Sequence, residues 1–356
     1  MAPSNKVVVI GSGNWGSCIS RMIGENVKKY PEEFDQEVQM WVFQEKVNGR
    51  NLTDIINEDH ENVKYLPGHK LPDNVIANPD LVSSVKGANT LVFVTPHQFV
   101  EDICDKLKDV IPKENCRAIT LVKGVDVNKD RIRIFADVIQ EKLNVRCSAL
   151  SGANVANEVA EGKFCETTIG YRTKEDGELF KRLFQTPMFQ VQLIDDVDGV
   201  SLCGALKNIV AIAAGLCDGL GHGTNTKSAI IRIGLLDMRN FAKEYFPNIQ
   251  SQTFLEESAG VADVITSCFG GRNRKVAEAF VKTRKPFEQL EDEMLGGQKL
   301  QGTSTAEDVN KFLKARGEED KYPLFKIVYE IAFKGMDPKQ LTHQLSEEWQ
   351  TLFGSH

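Results

Sequence analysis

The sequence has no CxxC pair. Its eight cysteines, Cys18, Cys104, Cys116, Cys147, Cys165, Cys203, Cys217 and Cys268, are scattered and lie mostly in apolar segments. Such thiols behave as small hydrophobes, which argues against a zinc ribbon or a disulfide framework and fits a reducing compartment. The six histidines include no HExxH, so no metal is expected. A basic excess is missing too: 43 Lys and Arg against 50 Asp and Glu leave a net charge of −7. That excludes a general nucleic-acid or acidic-membrane binder, so any anion site must be local. The longest apolar run, NIVAIAAGLC (208–217), is shorter than the ~20 residues that span a bilayer, so no stable membrane insertion is expected. The opening MAPSNK has no apolar signal core, and the closing FGSH is no standard address signal. The expectation is a soluble, cytoplasmic protein.

What is present divides into two halves. A chain of 356 residues suggests about two domains. KVVVI (6–10), VQMWVF (38–43), TLVFVT (90–95), AITLV (118–122), CSAL (147–150), TTIGY (167–171) and MFQVQLI (188–194) read as strands. Helical patterns such as FVEDICDKLKDVI and RIRIFADVIQEKL lie between them. Apolar strands alternating with helices predict an α/β fold, a Rossmann-type doubly wound sheet covered on both faces. From Asp196 onward strand signals vanish, and the expectation is an all-α C-terminal domain. The predicted division is residues 1–195, a nucleotide-binding domain, and 196–356, a helical substrate domain.

Gly11-Ser12-Gly13-Asn14-Trp15-Gly16 matches GxGxxG between a strand and a helix. Gly11 allows a tight turn, Gly13 close approach to a pyrophosphate, and Gly16 close packing of helix on strand. No Lys-Ser or Lys-Thr follows, so this is not a P-loop. The bland alternative is a Gly-rich turn. The acidic partner for the ribose is delayed by the polar insert NVKKYPEEFDQE. Either Glu45 holds the ribose or Phe43 stacks on the adenine, and an acid without an adjacent arginine tilts the choice toward NAD.

Candidate chemistry gathers at four places. Lys123 follows the AITLV strand, where ligands of doubly wound sheets collect, although a solvated loop lysine is the plain alternative. Lys207 sits with Asn208 in a helix that is apolar nearly all round, where an ammonium must snorkel, pair or work. Asp263 and Ser267, four apart, share a helix face and could orient one lysine. After Gly270 and Gly271 come Arg272, Asn273, Arg274 and Lys275, a local cationic cluster suited to a small phosphorylated substrate or, more plainly, a solvated basic turn. His97 also follows a strand end but carries no assigned chemistry. Proton and hydride chemistry fit these residues better than hydrolysis.

GSGNWGS, MWVF, NVKYLPGHKLP, PHQF, KGVD, GALKNIVAIAAG, GVADVIT, GGRNRKVAEAF and GGQKLQG, in this order over nearly the whole chain, resemble the NAD-dependent glycerol-3-phosphate dehydrogenases of the eukaryotic cytosolic type. The resemblance implies reversible reduction of dihydroxyacetone phosphate to glycerol 3-phosphate by NADH, in a homodimer. It implies that Lys207 is the general acid, that Lys123 assists electrostatically, and that Asp263 orients the lysines. Arg272 and Asn273 would hold the substrate phosphate, with Asn154, Asn208, Ser267 and Lys123 on the substrate side. The cofactor would meet Gly11 to Gly16, Phe43, Phe99, Lys123, Ala156, Arg272, Lys299 and Gln301. Two departures stand out: Ser267 in ITSC where members often carry threonine, and His222 where an aromatic is common. His222 is assigned no role. The rival readings are another β-hydroxyacid-type dehydrogenase and a noncatalytic NAD-sensing protein; Lys207, Asp263 and Arg272 together argue against the second.

Overall fold

The computed structural model describes residues 5–128 and 131–353, with side chains through residue 347. The terminal residues 1–4 and 354–356, read above for targeting signals, lie outside it. The chain divides into two units, residues 1–123 with 135–197, and residues 124–134 with 198–356. The last crossing falls close to the expected residue 195, but the segment 124–134 leaves the first unit. It forms an antiparallel hairpin, Val125–Asn128 with Arg131–Ile134, packed on the helix Gln301–Arg316. The C-terminal unit is therefore helical with one borrowed hairpin. RIRIFADVIQEKL, expected as one helix, starts as a strand because RIRI alternates charged and β-branched residues with period two.

The first unit is built on an eight-stranded sheet. Its strands in chain order are β1 (Asn5–Ile10), β2 (Phe34–Trp41), β3 (Val75–Asn78), β4 (Thr90–Phe93), β5 (Arg117–Thr120), β6 (Arg146–Ser151), β7 (Cys165–Gly170) and β8 (Phe189–Ile194). Across the sheet they run β3-β2-β1-β4-β5-β6-β7-β8. All neighbours are parallel except β6 and β7. The stretch from β3 to β6 has the doubly wound dinucleotide-binding order, whose reversal between β1 and β4 opens a ligand crevice at their carboxyl ends. β2 starts inside the supposed polar insert because Phe34 is buried there and anchors it. β3 is four residues long, between Pro72 and Pro79, and gives no apolar run to read. Ile19 and Ile23 of α1 (Asn14–Val27) join Phe180 and Phe184 in the core against the sheet. Burial makes the cysteines inert: Cys18 and Cys104 are pushed up to about 12 and Cys116 to about 11.

In the second unit, α2 (Val197–Gly219) extends well beyond its apolar run. By length and composition it could cross a membrane, but its most apolar window is wholly buried inside the protein, as a core helix is. The small residues expected to pack closely do so. A Cβ on Gly215 would lie 2.2 Å from the Arg274 carbonyl oxygen, so α2 touches the backbone of the helix Arg272–Thr283.

At the amino end of β5 and β6, Asp176 is buried under two cations. Arg146 Nε donates to it at 2.6 Å, Arg117 lies at 3.1 Å, and the Thr173 hydroxyl donates at 2.8 Å. Burial pushes the Asp176 carboxyl up, but the hydrogen bonds from Arg146 and Thr173 outweigh it and hold the group below the ordinary carboxylate value. Asp176→Ala leaves the buried Arg117 with the exposed Glu175 at 3.6 Å in place of a buried partner and should cost about 3–5 kcal/mol in urea unfolding at neutral pH. Because the folded pKa is depressed, this contribution is complete above the unfolded aspartate value and is lost as pH falls through the folded one. The gap between variant and parent should therefore narrow in acid; a gap independent of pH would contradict the assignment.

Candidate functional site

The glycine loop shows why each glycine is there. Gly11 has φ +124°, and a Cβ on it would lie 2.6 Å from the Val94 carbonyl oxygen beyond β4. A Cβ on Gly16 would lie 2.2 Å from the Gly11 carbonyl oxygen, so α1 can start here only without a side chain. Gly13 has no protein atom within 4 Å of its Cβ position. It opens α1 with no side-chain cap, which leaves backbone N–H groups and the positive dipole end for an anion. Two of the three glycines are demanded by the protein; the third faces open space.

Around the loop, side chains serve as braces. Ser12 offers its carbonyl to Asn62 Nδ2 at 2.9 Å and to the Ser17 hydroxyl at 3.1 Å. Asn14 Nδ2 donates to the Tyr65 carbonyl at 2.7 Å and to Asn157 Oδ1 at 2.9 Å, while the Trp15 ring lies 6.3 Å from that of Phe189. What Asn14 and Trp15 can offer a cofactor is therefore backbone. Phe43, beyond β2, is 72% exposed, and Phe99, beyond β4, is 50% exposed. Glu45 is already engaged. Partial burial pushes its carboxyl up, but hydrogen bonds with Lys64 and Tyr65 hold it below the ordinary carboxylate range. Of the two adenosine candidates, Phe43 is the available one. Ala156 begins a short helix, Ala156–Ala160. Asn154 donates to the Glu166 carbonyl at 2.8 Å, and its Oδ1 is buried with no hydrogen-bond partner among the described residues. Lys123 is half-buried beyond β5, just before Gly124 at φ +139°. His97 lies against Phe135, and burial pushes its pKa down, so the ring is neutral at pH 7.

In the second unit, Lys207 of α2 is buried and hydrogen-bonds Asp263 and, at 2.8 Å, the Ser267 hydroxyl. Both partners come from α3 (Asp263–Gly270), entered through a π-helical turn over Ser258–Ala262. Irregular turns of this kind recur at functional sites. α3 ends so that a Cβ on Gly271 would lie 2.7 Å from the Ser267 carbonyl oxygen, and Gly271 opens α4 (Arg272–Thr283) without a side-chain cap. Asn273 Nδ2 donates to Asn208 Oδ1 at 3.0 Å, and its Oδ1 accepts from the Gly302 N–H at 2.9 Å in α5 (Gln301–Arg316). Asn208 Nδ2 reaches Gln301 Oε1 at 3.5 Å. Arg272 is exposed, and its guanidinium donates to Gln298 at 2.8 Å. Lys299 is drawn to the buried Glu291 carboxylate at 2.9 Å. The exposed His222 stays outside this constellation. Among the described residues, no His, Cys, Asp and Glu groups gather to hold a metal.

Asn62, Gln298 and Glu291 carry no signal of their own in the sequence. Asn62 lies inside NVKYLPGHKLP, and Gln298 directly precedes Lys299, so the motifs point to their neighbourhood but not to their partners.

A GxGxxG sheet unit joined to a helical unit with a buried Lys-Asp-Ser cluster defines a two-unit nicotinamide-linked dehydrogenase. The chain matches the NAD-dependent glycerol-3-phosphate dehydrogenase N-terminus over residues 6–176 and the corresponding C-terminus over residues 196–343, and it belongs to that family. Its cofactor is NAD. The human glycerol-3-phosphate dehydrogenase 1-like protein is 55% identical, covering 94% of this chain and 95% of its own. The human cytoplasmic NAD(+) glycerol-3-phosphate dehydrogenase is 52% identical over 96% and 97%. The solved glycerol-3-phosphate dehydrogenase of Saccharomyces cerevisiae superposes with a TM-score of 0.91 at 45% identity, covering 96% of this chain and 99% of that one. A ketopantoate reductase from Ralstonia eutropha, with TM-score 0.53 and 14% identity, shares the fold alone. These matches set aside the reading as another β-hydroxyacid-type family.

The open space at Gly13 yields a direct test. Gly13→Val should leave the thermal midpoint near that of the parent, since no protein atom lies within 4 Å of the Cβ position, yet raise the NADH dissociation constant by tenfold or more, about 1.4 kcal/mol. Fluorescence titration with NADH reads the effect, and unchanged binding would remove the loop from the cofactor site.

Proposed function

We propose that this chain catalyses the reversible reduction of dihydroxyacetone phosphate to glycerol 3-phosphate with NADH, in the cytoplasm and as a homodimer, using Lys207 as general acid. The observation that carries this reading is the buried Lys207, held by Asp263 and Ser267 beside the Asn208–Asn273 link to the start of α4. The cytoplasmic location follows that of the human relative named as cytoplasmic.

Bound NADH supplies the hydride. As the carbonyl oxygen gains negative charge, the Lys207 ammonium stabilises it and delivers the proton that completes the alcohol. In a dry site such a charge acts far more strongly than in water. Asp263 and Ser267 keep the ammonium from rotating away, and Lys123 assists electrostatically. Serine in place of threonine at position 267 keeps the hydroxyl acceptor and loses only a methyl group. Arg272 and Asn273, in the first turn of α4, hold the substrate phosphate, where a guanidinium and a helix N-terminus reinforce one another. That grip fixes the carbonyl in place and converts remote binding into rate. Asn154 and Asn208 belong to the same substrate set; Phe43, Phe99, Ala156, Lys299 and Gln301 belong to the cofactor set.

The deciding assay follows NADH absorbance with dihydroxyacetone phosphate and, separately, unphosphorylated dihydroxyacetone. Turnover strongly favouring the phosphorylated ketone is expected; no NADH oxidation with either would return the chain to an NAD-sensing role. Lys207→Ala should lower kcat by roughly 10²-fold or more, the usual scale of general acid catalysis, while NADH still binds. A variant that keeps most of its turnover would leave Lys207 with a structural role. Arg272→Ala removes a charge-assisted bond of about 1.5–3 kcal/mol, so kcat/KM for the phosphorylated ketone should fall on the order of ten- to a hundredfold. Dihydroxyacetone should lose much less. Equal losses on both, matched by weaker NADH binding, would assign Arg272 to the cofactor.

A further inference from the structure

The last turn of α2 carries a partly buried carboxylate that the proposed reaction does not use. Asp218 Oδ2 accepts from Lys227 Nζ at 2.7 Å and from Arg274 Nε at 2.6 Å, with the three side chains only 16%, 11% and 21% exposed. Arg274 also pairs with Glu278 at 2.8 Å. Each cation belongs to an element of the catalytic cluster or touches one. Arg274 is in the first turn of α4, directly after Arg272 and Asn273. Lys227, from the helix Thr224–Tyr245, lies 4.4 Å over the ring of Phe269, in the same α3 that supplies Asp263 and Ser267. Asp218 itself shares α2 with Lys207, eleven residues away and so close to three full turns, on the same face. Beside it the Gly215 contact brings the α2 and α4 backbones together, and the carboxylate ties the Arg274 side chain of α4 to the end of α2.

We propose that Asp218 is a positioning residue for the phosphate grip. Acting through Arg274, it fixes the rotation of the start of α4, and with it the placement of Arg272 and Asn273, relative to Lys207 on the same α2. The charges support this: one carboxylate neutralises two nearly buried cations, so removing it leaves Lys227 and Arg274 repelling each other across the helix contact. Burial pushes Asp218 up, but the hydrogen bonds from Lys227 and Arg274 outweigh it and keep the group ionised.

The inference rests on phosphate binding at Arg272 and Asn273, so Arg272→Ala is run alongside. Asp218→Ala should lower kcat/KM for dihydroxyacetone phosphate by on the order of ten- to a hundredfold, the scale of a misplacement near 1 Å. Unphosphorylated dihydroxyacetone should lose far less, and NADH affinity by titration should hold. Arg274→Ala should show the same substrate-selective loss, and the double variant should lose no more than the larger single, because the two act as one unit. A merely structural role would depress both substrates together and leave the two substitutions additive; either result overturns the proposal. If Asp218→Ala does not fold, Asp218→Asn, which keeps the volume and one acceptor, takes its place: selective loss supports the proposal and equal loss on both substrates overturns it. Selective loss in Arg272→Ala without it in the Asp218 variants overturns this proposal alone. Absence of selective loss in Arg272→Ala itself overturns the phosphate assignment, and this inference with it.

Discussion

One ammonium in an apolar helix organises the second unit. α2 is buried almost throughout, and an unpaired charge there would cost several kcal/mol. α3 stabilises Lys207 by bringing it a carboxylate and a hydroxyl one helical turn apart. That requirement fixes the approach of α3 to α2. The end of α3 then fixes the start of α4, because Gly271 has room for no side chain against the Ser267 carbonyl. A continuous path thus runs from Lys207 to the turn that carries Arg272.

The constraint in the first unit is steric rather than electrostatic. Gly11 and Gly16 are forced by the close approach of strand, turn and helix, and neither needs a ligand to explain it. The turn they create leaves the N-terminus of α1 uncapped by any side chain. Uncapped helix ends carry unmet hydrogen-bonding capacity, normally filled by water, a cap or an anion. Asn62 stiffens this arrangement from outside the motif by bonding the Ser12 carbonyl and the Ser17 hydroxyl, so the amides are held in place before any cofactor arrives. Preorganisation of that kind limits the entropy lost on binding.

Much of this is legible in the sequence because periodicity and local spacing encode it. Seven of the sheet strands are readable as apolar runs, and the i, i+4 spacing of Asp263 and Ser267 predicts a shared face. What cannot be read depends on partners distant in sequence. Glu45 reads as a ribose candidate, and nothing in WVFQE reveals that Lys64 also engages it. β3 lacks signal because an edge strand of four residues needs little apolar surface. The strands Val125–Asn128 and Arg131–Ile134 are hidden because packing on the distant helix Gln301–Arg316, not composition, places them with the second unit. Asn62 and Gln298 are polar residues in loop-like stretches, and their roles exist only through contacts to residues far along the chain.

Exposure separates the two cations that the proposed chemistry uses. Lys207 is 6% exposed, whereas Arg272 is exposed and rests on a neutral glutamine rather than a carboxylate. A proton donor benefits from a dry setting, since its interaction with a developing alkoxide grows as the local dielectric falls. A phosphate grip has the opposite need. A dianion arrives hydrated, and a guanidinium already paired with a buried carboxylate would have to break that pair first. Gln298 can hold Arg272 in orientation through one hydrogen bond to a neutral acceptor, which a doubly ionised phosphate, with charge on both sides of the contact, can outcompete. The carboxylates in this unit are placed accordingly: Asp263 on Lys207, Asp218 on Arg274, Glu291 on Lys299, and none on Arg272 among the described residues.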